Sequence, residues 1–298
     1  MTLFSSAHFG AAPPFDPQHK FITSWLVSPA ALASIRTLLA LYALFSICTS
    51  LGFTVSSGDG ASFLSFFTQL SYIGLTAYYC AAAVQTVAYA RWGRYPLRRW
   101  PRTLQALHVV LQSTMCTFPF IVTVVYWGLL SSNSFDSIYD SWSNITLHAM
   151  NSAFALFELL LTNAPPAPWL ALPIHIALLG GYLGVAYITH ATQGFYTYAF
   201  LDPANGGSGA LLAAYIVGIG AGACAVFLLA RGAVVLRQRA AVRAGNLELA
   251  PDVRDDPDDS EWVEVERPGP AARPKGGTRH TADGEKGAAP APAHAQAV

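Results

Sequence analysis

The sequence predicts an all-α polytopic membrane protein, a bundle of six transmembrane helices followed by a disordered C-terminal tail, and three observations lead there. Hydrophobic residues make up 53% of the 298-residue chain and charged residues 11%, and only 14 of the 34 Lys, Arg, Asp and Glu residues fall in the first 231 positions. A body so poor in charge cannot cover itself with an ordinary wet surface, whereas it suits a chain whose solvent is lipid. Second, six apolar runs approach the ~20 residues that a bilayer core of about 30 Å requires. Third, the arginines cluster in alternate connections between those runs, the pattern of a chain that crosses a membrane repeatedly.

The runs are residues 30–53, 66–90, 106–130, 145–161, 169–189 and 210–230. The first follows Pro29 and stops before Asp59-Gly60. The polar, proline-containing segment ahead of it, residues 1–29, lacks the short apolar core and small-residue cleavage site of a removable signal, so the first helix is expected to stay as an anchor. The second opens with Phe66-Phe67-Thr68 and ends at Arg91. The third starts after Pro101 and contains Pro119, which is expected to bend it and release a backbone carbonyl. The fourth is short and carries His148, Asn151 and Glu158, polar groups that need partners inside a bundle. The fifth follows Pro165-Pro166 and the sixth follows Asn205-Gly206-Gly207. Gly180 and Gly184 in the fifth, and Gly218 and Gly222 in the sixth, have the small-xxx-small spacing that lets two helix backbones approach closely. Arg36 and Glu158 sit toward corresponding ends of the first and fourth runs, placed either to pair or for Arg36 to snorkel alone.

Orientation follows from the connections. The second holds Arg91, Arg94, Arg98, Arg99 and Arg102, and the chain after the sixth run opens with Arg231, Arg237, Arg239 and Arg243. The first, third and fifth carry Asp59, Asp136, Asp140 and Asp202 and no Lys or Arg. The positive-inside bias therefore places both termini in the cytoplasm. These features describe a 1–29 cytoplasmic segment, a 30–231 transmembrane domain and a 232–298 cytoplasmic tail in the endomembrane system, either endoplasmic reticulum or plasma membrane. The tail centres on Asp255-Asp256-Pro257-Asp258-Asp259, ends rich in Pro and Ala, and has too few large apolar residues to offset ordering entropy. Its Ser260 and Thr278 are open to modification. Net charge is zero and the basic clusters flank apolar runs, so the lipid bilayer is the partner implied and nucleic acid is not. Cys48, Cys80, Cys116 and Cys224 all lie within runs and form no CxxC, which argues against disulfides or a zinc site. The sequon Asn144-Ile145-Thr146 abuts the fourth run and is expected to be unmodified.

Chemistry in such a chain belongs to its intramembrane polar residues. Thr68 lies in the first turn of the second run and His148 in the first turn of the fourth, and both runs enter from the non-cytoplasmic side. Two residues 80 positions apart thus reach the same depth, and His190, which ends the fifth run, is on that side too. Around them are Gln69, Ser71, Tyr72, Tyr126, Asn151, Ser152, Gln193 and Tyr196. At helical spacing His148, Asn151 and Ser152 share one face. A threonine hydroxyl is a weak nucleophile until a base takes its proton, and a neutral imidazole titrates in the right range to do so. Asn151 and Gln69 are candidate donors to the developing oxyanion. The bland alternative is that Thr68 bonds back to its own helix and that His148 is a structural hydrogen-bond node.

Four passages carry a family resemblance: Phe66-Phe67-Thr68; Phe118-Pro119 with Tyr126-Trp127-Gly128-Leu129; Leu147-His148-Ala149-Met150; and Gly194-Phe195-Tyr196-Thr197-Tyr198. In this order and spacing the chain resembles the androgen-induced gene 1 protein family, which includes the androgen-dependent regulator of tissue factor pathway inhibitor and fungal members. That resemblance implies a six-span threonine hydrolase cleaving fatty acid esters of hydroxy fatty acids, with Thr68 as nucleophile and His148 as its histidine. It implies a long-chain acyl ester as substrate and no metal or organic cofactor. Animal members tend to carry a second His shortly after the first, where this chain has Asn151. Two other classes stay open on the residues: a non-enzymatic membrane scaffold or transporter, and a bis-His haem electron carrier using His108, His175, His148 and His190.

Overall fold

The computed structural model describes residues 6–131, 135–204 and 209–245. The Asn205-Gly206-Gly207 stop and the tail from residue 246 on, with Ser260 and Thr278, lie outside the described residues. Within them every regular element is helical. Helix α1 spans Pro29–Ser56, with the Ser28 side chain accepting from the Ala31 N–H and Pro29 in the first turn, where a missing N–H costs nothing. Helix α2 spans Phe67–Trp92 and stops at Gly93, whose φ of 69° is the left-handed cap that a Cβ would strain.

The third rod is broken. Helix α3, Arg102–Met115, gives way at Cys116 and Thr117 to α4, Phe118–Val125. Pro119 sits at the start of α4, where its absent N–H is harmless. A π-helical turn, Tyr126–Leu130, completes that rod. The fourth rod is longer than its apolar run: α5, Ile138–Ile145, is capped by Ser137, continues through a second π turn, Thr146–Met150, and becomes α6, Asn151–Leu161. Thr146 of the sequon is buried and bonded to the Tyr42 hydroxyl at 2.9 Å within this rod, so the sequon is no accessible loop. Helices α7, Ala171–Gln193, and α8, Gly209–Arg243, follow. Helix α8 runs well past residue 230 because its arginines find partners: Arg237 donates to the carbonyls of Leu159 and Ala164, and Arg231 donates to the Ala167 carbonyl and lies 4.4 Å from the Trp169 ring. The intervening Ala, Val, Leu and Gln are also competent helix formers.

Four rods, Pro29–Ser56, Arg102–Leu130, Ala171–Gln193 and Gly209–Arg243, are long and apolar enough to cross a membrane. Phe67–Trp92 and Ile138–Leu161 are of comparable length but more polar. Polar groups cluster in the interior: Ser46, Thr76, Gln85, Thr86, Gln112, Ser113, Asn151 and Glu158 are all buried, while Leu38, Phe45, Val124, Ile188, Val217 and Leu229 are exposed. This distribution is the reverse of a water-soluble bundle, and it is the one a lipid solvent selects.

The interior polar groups are matched. Arg36, wholly buried, gives Nε to Glu158 Oε1 at 2.8 Å and Nη2 to Oε2 at 2.7 Å. Its Nη1 donates to the Phe21 carbonyl at 2.8 Å and the Thr86 hydroxyl at 2.7 Å, and Tyr78 adds a hydrogen bond to the same carboxylate at 3.2 Å. The two residues therefore pair, which joins α1, α2, α6 and the N-terminal segment at one point. That segment is itself part of the core: Phe15, Phe21 and Ile22 pack against Ala88, Tyr95, Leu97 and Val109. Asp16 accepts the N–H groups of Lys20 and Phe21 and the Tyr95 hydroxyl at 2.7 Å. Burial and the Asp16 charge hold the Tyr95 phenol well above its usual range, so it remains a donor. Tyr95→Phe removes a hydrogen bond to a charged acceptor, worth about 1.5–3 kcal/mol. The expected result is faster amide hydrogen exchange at Lys20–Ile22 with exchange in α7 unchanged.

Candidate functional site

Two peculiarities of the backbone build this site. Helix α2 begins at Phe67 with no side-chain cap from Phe66, leaving its first N–H groups to find other acceptors. The Tyr198 hydroxyl accepts the Phe67 N–H at 3.1 Å and also reaches the Thr68 hydroxyl. Tyr198 arrives there because α7 ends on Gly194, whose φ of 80° turns the chain back over the start of α2. Burial pushes the Tyr198 phenol up, so it stays protonated. The second peculiarity is the pair of π turns. They set Tyr126 and His148 face to face, ring centroids 3.5 Å apart and planes within 9°, and Trp127 Nε1 donates to the His148 carbonyl at 3.0 Å. Such turns recur at functional sites because the widened ring re-aims side chains.

Thr68 Oγ1 and His148 Nε2 are 3.3 Å apart, and both residues are buried. On its other side His148 Nδ1 lies 3.2 Å from the Asn144 carbonyl, which only accepts, so Nδ1 carries the proton. Nε2 is then the lone-pair nitrogen, and the Thr68 hydroxyl donates to it. Other helical threonines behave differently: Thr37, Thr54, Thr76 and Thr86 each return their hydroxyl to the carbonyl four residues back. Thr68 stands in the first turn of α2, and the residue four back, Leu64, belongs to the separate 3-10 segment Gly60–Ser65. The hydroxyl is thereby released from its own helix.

The remaining sequence candidates are elsewhere. Asn151 Oδ1 accepts from the Ser152 N–H at 2.7 Å and the Thr123 hydroxyl at 3.2 Å, and its amide nitrogen is 3.5 Å from the Pro119 carbonyl, so it braces the broken third rod. Asn151 thus meets the third rod at Thr123, as His148 does at Tyr126, but it bonds to neither Thr68 nor His148. Gln69 Oε1 is buried without a hydrogen-bond partner, and His190 stacks on Tyr196 at 3.8 Å with its Nδ1 likewise unpartnered. Neither bonds to Thr68 or His148. Of the other histidines, His175 Nε2 is 3.1 Å from the Ser113 hydroxyl and His108 packs between Tyr78 and Phe21. No imidazole stacks on another among the described residues.

A cavity of ≈ 220 Å³ opens from Thr68. Thr68, Tyr126, Tyr182 and Tyr198 supply its polar groups, and the rest of the lining is apolar, including Phe67, Phe200, Ile121 and Val125 of α4, Leu179 of α7 and Ile219 of α8. The Tyr182 hydroxyl is tied to the Ser65 carbonyl at 3.1 Å and to Thr197 at 3.2 Å. Tyr182 and Tyr198 were not singled out by helical periodicity, since Tyr198 reaches the site through a cap and a loop. The glycines of α7 and α8 do not bring these helices together: a Cβ at Gly180, Gly184, Gly218 or Gly222 meets nothing within 4 Å. Instead Gly180 borders this cavity and Gly218 and Gly222 border another.

No curated protein and no solved structure matches the chain. A family model does: the one for FAR-17a/AIG1-like protein covers residues 31–230, the stretch that contains both π turns, Thr68 and His148. The chain belongs to the FAR-17a/AIG1-like family, the androgen-induced gene 1 family that its four sequence passages resemble.

Proposed function

We propose that this membrane protein is a six-span hydrolase of long-chain acyl esters, such as fatty acid esters of hydroxy fatty acids, with Thr68 as nucleophile and His148 as general base. The observation that carries the reading is the released Thr68 hydroxyl donating to the unprotonated nitrogen of a histidine whose other nitrogen is held by Asn144. In this mechanism Thr68 Oγ1 adds to the ester carbonyl as its proton passes to His148 Nε2. The tetrahedral intermediate collapses with cleavage of the bond to the alcohol oxygen, which leaves with the proton from Nε2. Water then adds to the acyl-threonine, His148 again taking and returning a proton, and the fatty acid and free Thr68 are released. Tyr198, protonated and adjacent to the uncapped α2 N-terminus, is the donor best placed for the oxyanion. The polar rods α2 and α5–α6 complete six crossings with the termini on the cytoplasmic side of an endomembrane, and the ester enters from the bilayer.

The test uses the full chain in detergent with a branched fatty acid ester of a hydroxy fatty acid. Thr68→Ala is expected to abolish release of the free acid, and Thr68→Ser, which restores a hydroxyl, to retain part of it. Equal turnover by Thr68→Ala and the unaltered protein would exclude Thr68 as nucleophile.

A further inference from the structure

The cavity beside Thr68 is asymmetric in a way that identifies its occupant. Thr68 lines it, whereas His148 does not. An alcohol leaving group must collect its proton from His148, so it departs on the histidine side. The part of the ester left for the cavity is the acyl chain. Beyond the tyrosines the walls are apolar, aliphatic side chains with Phe67 and Phe200, which suits an alkyl chain and offers no polar anchor. Along α7 the lining runs from Leu183 and Tyr182, the latter bonded to Ser65 just ahead of α2, to Ile176, six residues from Tyr182 toward the helix start and thus about 9 Å away along the axis. Two glycines, Gly180 of α7 and Gly220 of α8, also line it. At both, a Cβ would meet nothing within 4 Å. Neither helix needs glycine for packing there, and the space their missing side chains leave belongs to the cavity.

We propose that this cavity is an acyl-chain slot whose usable length is set by Gly180 and Gly220, so that the protein selects esters by the length of the acid chain. This rests on the ester-hydrolase reading for the chemistry, though not for the binding. A Cβ at either position has room, and leucine favours the helix over glycine, so the variants are expected to fold.

The experiment compares the unaltered full chain with Gly220→Leu, Gly180→Leu and the control Gly184→Leu, which lies outside the lining. Each is assayed on p-nitrophenyl palmitate and p-nitrophenyl acetate, and each is photolabelled with a diazirine analogue of palmitic acid, with labelled peptides mapped by mass spectrometry. The expected result is a fall of about tenfold or more in kcat/KM for the palmitate with Gly220→Leu and Gly180→Leu, since crowding an apolar pocket by a methylene or more has effects of that size. The palmitate-to-acetate ratio of kcat/KM is therefore expected to fall in both, and the control to match the unaltered protein. Labelling of peptides containing Ile176, Ile216 and Ile219 is expected in the unaltered protein and lost in both slot variants. An unchanged palmitate-to-acetate ratio together with unchanged labelling overturns the slot. Labelling that is present and lost in Gly220→Leu, in a protein hydrolysing neither ester, overturns the hydrolase reading and supports the slot.

Discussion

Replacing His148 with alanine is expected to slow long-chain ester hydrolysis by about 10²–10⁴-fold, the range for removing a positioned general base. The loss should appear in kcat, because the imidazole acts on a proton in flight and the acyl chain is held by other residues. The fold should survive: Trp127 bonds to the His148 backbone carbonyl, which alanine retains, and the main loss is the stack on Tyr126. Thr68 and His148 are expected to act as one unit, so the double variant Thr68→Ala with His148→Ala should be no slower than the slower single variant. Kinetics on detergent-purified protein, with monodispersity checked by size-exclusion chromatography, measure this. Additive losses in the double variant would mean that the two residues serve separate steps and that the 3.3 Å contact is not the nucleophile–base pair.

Glu158→Ala is expected to be the most destabilising of the single substitutions considered. It strips the Arg36 guanidinium of both carboxylate oxygens while leaving it buried, and an uncompensated buried charge costs about 3–5 kcal/mol. The bonds from Arg36 to the Phe21 carbonyl and Thr86 remain, but neither acceptor carries a charge. Replacing both partners with methionine removes the charges together, and such swaps are often neutral or stabilising. The expected ranking of thermal midpoints in detergent is therefore Glu158→Ala lowest, with Arg36→Met plus Glu158→Met close to the unaltered protein. A double variant as unstable as Glu158→Ala would show that the pair holds α1, α2 and α6 in place through its hydrogen bonds and not only through charge balance.

The apolar rods, their order and most of their ends were legible in the chain because hydropathy and helix punctuation are local: proline, glycine and serine act on the turn that contains them. The all-helical build and the family follow from that level. The depth match of Thr68 and His148 was also legible, since 1.5 Å per residue converts position along a rod into height. Rotation about each rod was not. His148 and Asn151 both meet the third rod, at Tyr126 and Thr123, but periodicity alone does not say that only His148 turns far enough to reach Thr68. The start of the fourth rod at Ile138 was hidden for a related reason: Ser137 and Asp140 make a good cap, while the turns that follow are not uniformly apolar.

The small-residue spacing of α7 and α8 marks a different boundary. Sequence spacing says only that two backbones are free to approach; whether they do depends on what else fills the space, and here the glycines border cavities. Tyr198 shows the same dependence, reaching the α2 N-terminus through the Gly194 turn. By itself the sequence determined which stretches are helical, how polar each one is and the height at which its hydroxyls and imidazoles stand, because these depend on near neighbours along the chain. Only the tertiary structure decided which way those groups turn, that Arg36 is paired, and that Thr68 opens on an apolar cavity. Those outcomes are set by contacts between residues far apart in the chain, whose packing no local periodicity encodes.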